Sequence, residues 1–339
     1  MSDIPLIRAN NFEPVLETLR IIGAPVDRMM ADINFPAHIL DIAPDSFVPE
    51  YPLWCLLEKA GRSQGIENFG YRAATQSSPN NLGEFGKLLC ENSSNLYSLL
   101  RFFCQTIQQH STDSRYWLEP AADASKEQTL FCRYGTPSLS TGRWQAEQYV
   151  VVVLIQLVRL VAGANWFPEK ILFETSELEG IKQCDMFTNS RIYYGQNKTA
   201  ISIPNSLLQK ASPGKTPLDQ LHSLELNLAP SSQSERLKAA LFHFINEDKF
   251  DINSACEVVG LRPRTLQRWL SEEGMSFSKI VSQIRFEKAS ELLNEQDINI
   301  IDISTLLGYS DPAHFTRAFR RWSGISPQQF RKQNALCSA

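Results

Sequence analysis

Cysteine forms no framework in this chain. The seven thiols, Cys55, Cys90, Cys104, Cys132, Cys184, Cys256 and Cys337, are odd in number, widely spaced and include no CxxC pair. That argues against a disulfide scaffold and fits reduced cytosolic thiols. The five histidines, His38, His110, His222, His243 and His314, contain no i,i+4 pair and have no thiol nearby, so neither a metal nor a cofactor is expected. Long apolar runs are also missing. The longest, Tyr149 to Ile155, is interrupted by Gln156 and Arg159, well short of the roughly 20 residues that span a bilayer. Met1 to Arg20 lacks the basic stretch and apolar core of a secretion signal. A cytoplasmic protein with no membrane partner is expected. No nucleophile elbow, paired carboxylates or zinc-held cysteine cluster stands out, and Asn81-Leu82-Gly83-Glu84-Phe85-Gly86 lacks the Lys-Ser or Lys-Thr end of a phosphate loop. An enzyme is therefore not expected.

Charge of one sign is lacking overall. The net charge is −4, so any nucleic-acid function must follow from where the charges sit. From Ser231 to Ala339 there are 14 Lys plus Arg against 13 Asp plus Glu, a net of +1, which leaves −5 for the first 230 residues. Gly and Pro make up 34 of 339 residues, and 43% are hydrophobic. This is the composition of an ordinary globular protein, long enough for two domains.

The strongest feature present is an internal repeat. Sliding the chain by 48 residues lays Ile252, Ala255, Cys256, Val259 and Gly260 on Ile300, Ile303, Ser304, Leu307 and Gly308. Each set is the i, i+3, i+4, i+7 stripe of a short helix, followed by a glycine suited to a left-handed stop. Asp251 and Asn299 stand at the N-caps, and Pro263 and Pro312 open a second helix in each copy. Two helix-turn-helix units result, at 252–273 and 300–323. Leu266, Trp269 and Leu270 form the buried face of one second helix, and Phe315, Phe319 and Trp322 that of the other. Gly274 and Gly324 close these helices. Between the units, Ser276 caps a long helix with Phe277, Ile280, Val281, Ile284, Leu292 and Leu293 at helical spacing, a stiff spacer. Ser326-Pro327-Gln328-Gln329 is a capping box for a last helix carrying Phe330, and Glu235 to Asp248 makes a leading helix with Leu237, Leu241, Phe244 and Ile245. Seven helices follow the small, polar stretch Ala229 to Ser234, where the domain boundary is placed.

The region before that boundary reads as mixed α and β. Helical patterns run from Phe12 to Ile22, from Tyr51 to Arg62 and through Leu96, Leu99, Leu100, Phe103 and Ile107. Tyr116 to Glu119 and Thr129 to Tyr134 alternate like paired strands. Gly142 to Gly163 is read as a buried helix on its length, although Val150 to Val153 would suit a strand equally well, and Ile171 to Glu174 and Thr199 to Ile203 are read as later strands.

On the outward stripe of the first second-helix, Arg264, Gln267 and Arg268 fall at i, i+3, i+4. Arginine and glutamine are the side chains that pair bidentately with guanine and adenine edges in the major groove. The second copy carries Ala313, Thr316 and Arg317 there, two small residues suited to a thymine methyl and one guanine reader. From Pro312 to Lys332 lie Arg317, Arg320, Arg321, Arg331 and Lys332 without one acid, a phosphate-binding stripe.

These residues resemble the AraC/XylS-type transcription regulators. Ile252 to Arg331 is similar to their double helix-turn-helix domain, most specifically from Gly308-Tyr309-Ser310-Asp311-Pro312 through Phe319 to Ser326-Pro327 and Phe330-Arg331. Leu266 to Leu270 and Glu273 to Phe277 resemble the subgroup with an arabinose-binding-like, ornithine-utilisation-regulator-like N-terminal domain, as do Leu19 to Pro25 and Arg191 to Pro204. The resemblance implies base reading by Arg264, Gln267, Arg268, Ala313, Thr316 and Arg317, with Ala313 standing where the family often has a polar residue. It also implies phosphate contacts from Arg262, Thr265, Arg320, Arg321 and Lys332. The expected fold class is α+β multidomain: a mixed α/β effector and dimerisation domain at 1–229, a linker at 230–234 and an all-α DNA-binding domain at 235–334. The expected partners are double-stranded promoter or operator DNA, an unidentified small-molecule effector, a second copy in a homodimer, and RNA polymerase if the protein activates. The rivals are a DNA-associated scaffold controlled by a partner protein and an enzyme fused to a helix-turn-helix domain. Val150 to Ile155 reads as core, with pocket lining as the alternative, and Cys132 and Cys184 as buried structural thiols rather than oxidant sensors.

Overall fold

The computed structural model describes residues 3–36, 44–76, 88–89, 91–121, 127–134, 142–176, 180–212, 229–245, 250–295 and 298–337. The Asn81–Gly86 motif lies outside them. The chain divides into two compact units, Met1–Ala229 and Pro230–Ala339.

In the first unit, strands β1 (Leu6–Arg8) and β2 (Phe47–Pro49) pair antiparallel, Leu6 opposite Pro49. Helices α1 (Glu13–Ile21), α2 (Val26–Asp32), α3 (Tyr51–Gln64), α4 (Phe69–Gln76), α5 (Leu96–Thr106) and α6 (Arg143–Ala162) accompany a mixed sheet. Its strands are β3 (Arg115–Pro120), β4 (Gln128–Tyr134), β5 (Lys170–Leu172), β6 (Arg191–Tyr193) and β7 (Thr199–Pro204), in the order β3-β4-β7-β5-β6. A short helix, α7 (Asn205–Leu208), follows β7. The β3–β4 pairing sets Arg115 opposite Tyr134, and among the described strands only β5 and β6 run parallel. Strand alternation sorts the sheet's two faces. Phe131, Ile171, Ile201 and Ile203 join the helices in the main core, whereas Leu130, Cys132 and Ala200 form a small cluster on the other face.

Helix α6 is the spine of this core. At 20 residues it is long and apolar enough to cross a membrane, so the Tyr149–Ile155 run, only the middle of the helix, understated it. Val151, Leu154, Ile155 and Val158 are instead fully buried inside the protein. Its buried polar residues serve the neighbouring backbone. Gln145 accepts from Gly70 N at 2.7 Å, Gln148 accepts from Tyr71 N at 3.2 Å, and both side-chain amides donate to Glu67 O. The first N–H groups of α4, orphaned by helix geometry, are thereby satisfied. The approach is so close that a Cβ on Gly70 would lie 1.8 Å from Gln145 O.

The second unit contains seven described helices: α8 (Gln233–Leu241), α9 (Ile252–Val259), α10 (Pro263–Glu272), α11 (Phe277–Asn294), α12 (Ile300–Leu306), α13 (Pro312–Ser323) and α14 (Pro327–Cys337). The polar stretch at 230–234 is not open linker throughout. Ser232 caps α8 in a capping box with Glu235, and the N–H groups of Gln233 and Ser234, already helical, donate to the Glu273 carboxylate. Helix α8 thus opens two residues before Glu235 and closes at Leu241, well before Asp248, although Phe244 and Ile245 are still buried. Helix α14 continues past 334 to Cys337.

Candidate nucleic-acid interface

Both helix-turn-helix units are built by the same local devices. Asp251 accepts from Ser254 N at 2.9 Å and Asn299 from Asp302 N at 2.8 Å, so each first helix has its N-cap. The capped N–H holds the Asp251 carboxyl below its ordinary range. Each first helix stops at a left-handed glycine, Gly260 at φ 69° and Gly308 at φ 77°. The next residue then closes the turn onto the carbonyl five positions back, Leu261 N to Cys256 O at 3.0 Å and Tyr309 N to Ser304 O at 2.9 Å. This is the Schellman stop, which any Cβ at the glycine would strain. Pro263 and Pro312 follow at N1, and Asp311 adds a cap on Ala313 N at 2.9 Å.

The two second helices, α10 and α13, are pinned by their apolar faces. Leu266, Trp269 and Leu270 are buried in one, and Phe315 and Phe319 in the other. Trp322, expected among the buried set, is only half-buried, packing at the edge of a core formed by Ala289, Leu293, Ile303, Leu307, Phe315 and Phe319. Helix α11 feeds this core with its C-terminal half and buries Ile280, Val281 and Ile284 in its N-terminal half.

With those faces fixed, Arg264, Gln267 and Arg268 stand exposed on α10, as do Ala313 and Arg317 on α13. Arg268 makes only a long, exposed ion pair with Glu272 at 3.9 Å, too weak to hold it away from an incoming ligand. Thr316 is half-buried and its hydroxyl donates to Pro312 O at 2.9 Å, which leaves its hydroxyl already engaged within the helix. Arg262, Arg320, Arg321 and Lys332 are exposed, and Thr265 is half-exposed.

Arg331 departs from the expected phosphate stripe. Its guanidinium donates to Leu293 O at 3.2 Å and Ile298 O at 2.6 Å, the end of α11 and the turn before α12. It braces the protein instead of facing solvent. Among the described residues no cluster of His, Cys, Asp and Glu is suited to a metal. Cys132 and Cys184 are fully buried, and burial pushes both thiols up to about 12, unsuited to oxidant sensing.

A profile of the helix-turn-helix domain family matches residues 255–333. The C-terminal unit is an AraC-type helix-turn-helix domain. The whole chain is similar to the HTH-type transcriptional regulator VirS of Mycobacterium tuberculosis, 22% identical over 335 residues that cover 96% of each protein. An 82-residue stretch is 30% identical to the ornithine utilization regulator of Pseudomonas aeruginosa, covering 24% of each. Among solved structures, the transcriptional regulator CdpR of Pseudomonas aeruginosa matches 95% of this chain and 98% of its own, at 14% identity and a TM-score of 0.43. The AraC-type unit thus sits in a chain that is similar over nearly its full length to a transcriptional regulator.

Proposed function

We propose that this protein regulates transcription by binding double-stranded promoter DNA through its AraC-type unit, with α10 and α13 entering two successive segments of the major groove. The observation that carries this reading is the doubled helix-turn-helix, each copy with its apolar face buried and its arginine exposed. Arg264, Gln267 and Arg268 read bases in one segment and Ala313, Thr316 and Arg317 in the other. Arg262, Thr265, Arg320, Arg321 and Lys332 hold phosphates, which fix register without reading sequence. The N-terminal unit senses a small molecule in the cytoplasm and pairs two chains. RNA polymerase is a further partner if the protein activates.

Footprinting and base-substitution binding assays on the full chain test the two-groove reading. Arg268→Ala and Arg317→Ala each cost roughly 1–3 kcal/mol and relax specificity at different bases. The two sets lie about ten base pairs apart, one helical turn. If both substitutions affect the same base pairs, the two-groove reading fails. If the wild-type protein protects no unique site, a scaffold controlled by a partner protein takes its place.

A further inference from the structure

The N-terminal unit encloses a cavity of about 120 Å³. Its apolar lining includes Val150, Val153 and Leu157 of α6 together with Leu53, Phe103 and Ile107. The cavity's polar end is formed by Glu50, Trp54, Tyr116 and Arg133. Glu50 and Arg133 are only 3% and 2% exposed. Even so, Glu50 Oε2 and Arg133 Nε have no hydrogen-bond partner, while the Trp54 indole donates toward the Glu50 carboxyl. Buried polar groups normally find partners, and a charged pair this deep inside a core calls for a reason.

The open groups decide the ligand's chemistry. An N–H donor of the Arg133 guanidinium awaits an acceptor at the polar end. A hydrocarbon would leave that donor empty, and an ammonium group would be set against the Arg133 cation. We propose that the cavity binds a small amphipathic carboxylic acid, its carboxylate received by Arg133 and its hydrocarbon body by the apolar lining. Because an apolar cavity of roughly 150 Å³ takes up one benzene ring, the body is no larger than one ring or a chain of similar size. The remaining group, Glu50, adapts to an anion. Burial pushes its carboxyl up to about 7 against the pull of Arg133, so it takes up a proton when a second carboxylate arrives and then donates a hydrogen bond.

This inference rests on the reading of the N-terminal unit as a sensor, and the experiment separates the two. Full-length protein is titrated with benzoate, hexanoate, hexan-1-ol and hexylamine at pH 6 and pH 8, by calorimetry and tryptophan fluorescence. At least one acid binds, hexan-1-ol binds at least about tenfold more weakly than hexanoate, and hexylamine does not bind. Acid affinity falls about tenfold from pH 6 to pH 8, as Glu50 loses the proton that accommodates the ligand. The other groups acting on Glu50 are Arg133, Asp113 and the Trp54 indole. Of the other lining groups, burial holds Tyr116 above its ordinary value and His110 down to about 4, so both stay neutral over this range. Glu50→Gln keeps acid binding and loses its pH dependence. Arg133→Gln loses the preference for acid over alcohol, and Val153→Phe, which fills the cavity, abolishes binding of all four. Should Arg133→Gln fail to fold, the other two variants still decide. Equal binding of hexylamine and hexanoate overturns the proposal, as does the absence of binding by any probe or full acid affinity in Val153→Phe. DNA anisotropy on the same samples tests the sensor reading alone. Acid binding in the cavity without a change in DNA affinity supports the site and removes the sensor, whereas a probe that shifts DNA affinity equally in Val153→Phe removes the site and keeps the sensor.

Discussion

Arg331 separates charge as read along the chain from charge as placed by the fold. By sequence it belongs with Arg320, Arg321 and Lys332 in a basic run, and replacing it would then weaken DNA binding like any phosphate contact. In the structure its guanidinium bridges Leu293 O and Ile298 O, holding the end of α11 to the start of α12. Leu293 O is one of the last four carbonyls of α11, which have no partner within the helix. A hydrogen bond from a charged donor contributes roughly 1.5–3 kcal/mol. With one bond long and the side chain only half-buried, Arg331→Ala is expected to cost roughly 2 kcal/mol in total. Hydrogen-exchange mass spectrometry on peptides spanning Ile284 to Leu306 reads this as exchange about thirtyfold faster, since each 1.4 kcal/mol is a factor of ten. The salt dependence of DNA binding stays unchanged. For Arg320→Ala or Arg321→Ala the pattern reverses: exchange is unaltered and the logarithmic salt slope shrinks by roughly 0.9, one phosphate's share. A reduced salt slope with normal exchange in Arg331→Ala would refute the bracing role and return the residue to the stripe.

Gly70→Ala places a methyl 1.8 Å from Gln145 O and, because neither helix backbone can yield, costs roughly 3 kcal/mol or more, measured by urea unfolding of the full chain. Asp251→Ala, Asn299→Ala and Asp311→Ala each remove one N-cap and about 1 kcal/mol, seen as faster exchange confined to α9, α12 and α13 respectively. The Glu50 carboxyl sits at about 7, above its ordinary 4.5, so the fold holds an extra proton and loses stability as pH rises through that interval. His110, pushed by burial from 6.5 to about 4, excludes a proton and gains stability as pH rises. The two slopes oppose each other, so between pH 5 and 6.5 the melting temperature should climb with pH in Glu50→Gln and fall in His110→Gln, and parallel curves in the two variants would refute the assignment.

The AraC-type unit was legible because its signals are local. Each cap, glycine stop and N1 proline acts within a few residues of itself, and the apolar stripes follow one period, so Asp251, Gly260, Asn299 and Gly308 all have the roles their neighbours imply. Directions across helices were not legible in the same way. Helical spacing cannot tell that Arg331 turns inward or that Trp322 sits at the core's edge. In the N-terminal unit the long elements were readable, whereas β1, β2 and β6, at three residues each, are too short to show alternation. Helix α4 begins where it does because Gln145 and Gln148, some 75 residues later, receive its first N–H groups. One signal for the cavity was available. Along β4, Phe131 and Arg133 share the core-facing side, and a charged residue at a core position in an alternating strand points to a buried polar site.

The spacing between the two reading helices is set by a segment that belongs to both cores. Helix α11, 18 residues long and so roughly 27 Å, anchors its first half at Ile280, Val281 and Ile284 and its second half at Ala289 and Leu293. Phe286, between them, packs against Phe319, Trp322 and Phe330, and Lys238 of α8 pairs with Glu287 at 2.6 Å. On the proposed reading each of these helices alone offers about three side chains to base edges, too few for a tight specific site. Joined by a stiff helix, the second engages at a high effective concentration once the first is bound, so affinity multiplies instead of merely adding a contact. That gain holds only while α11 stays straight and both cores stay packed against it. Loss of packing at Phe286 or Phe319 therefore reaches DNA binding although neither residue is exposed to DNA, because it releases the spacing that the exposed arginines depend on.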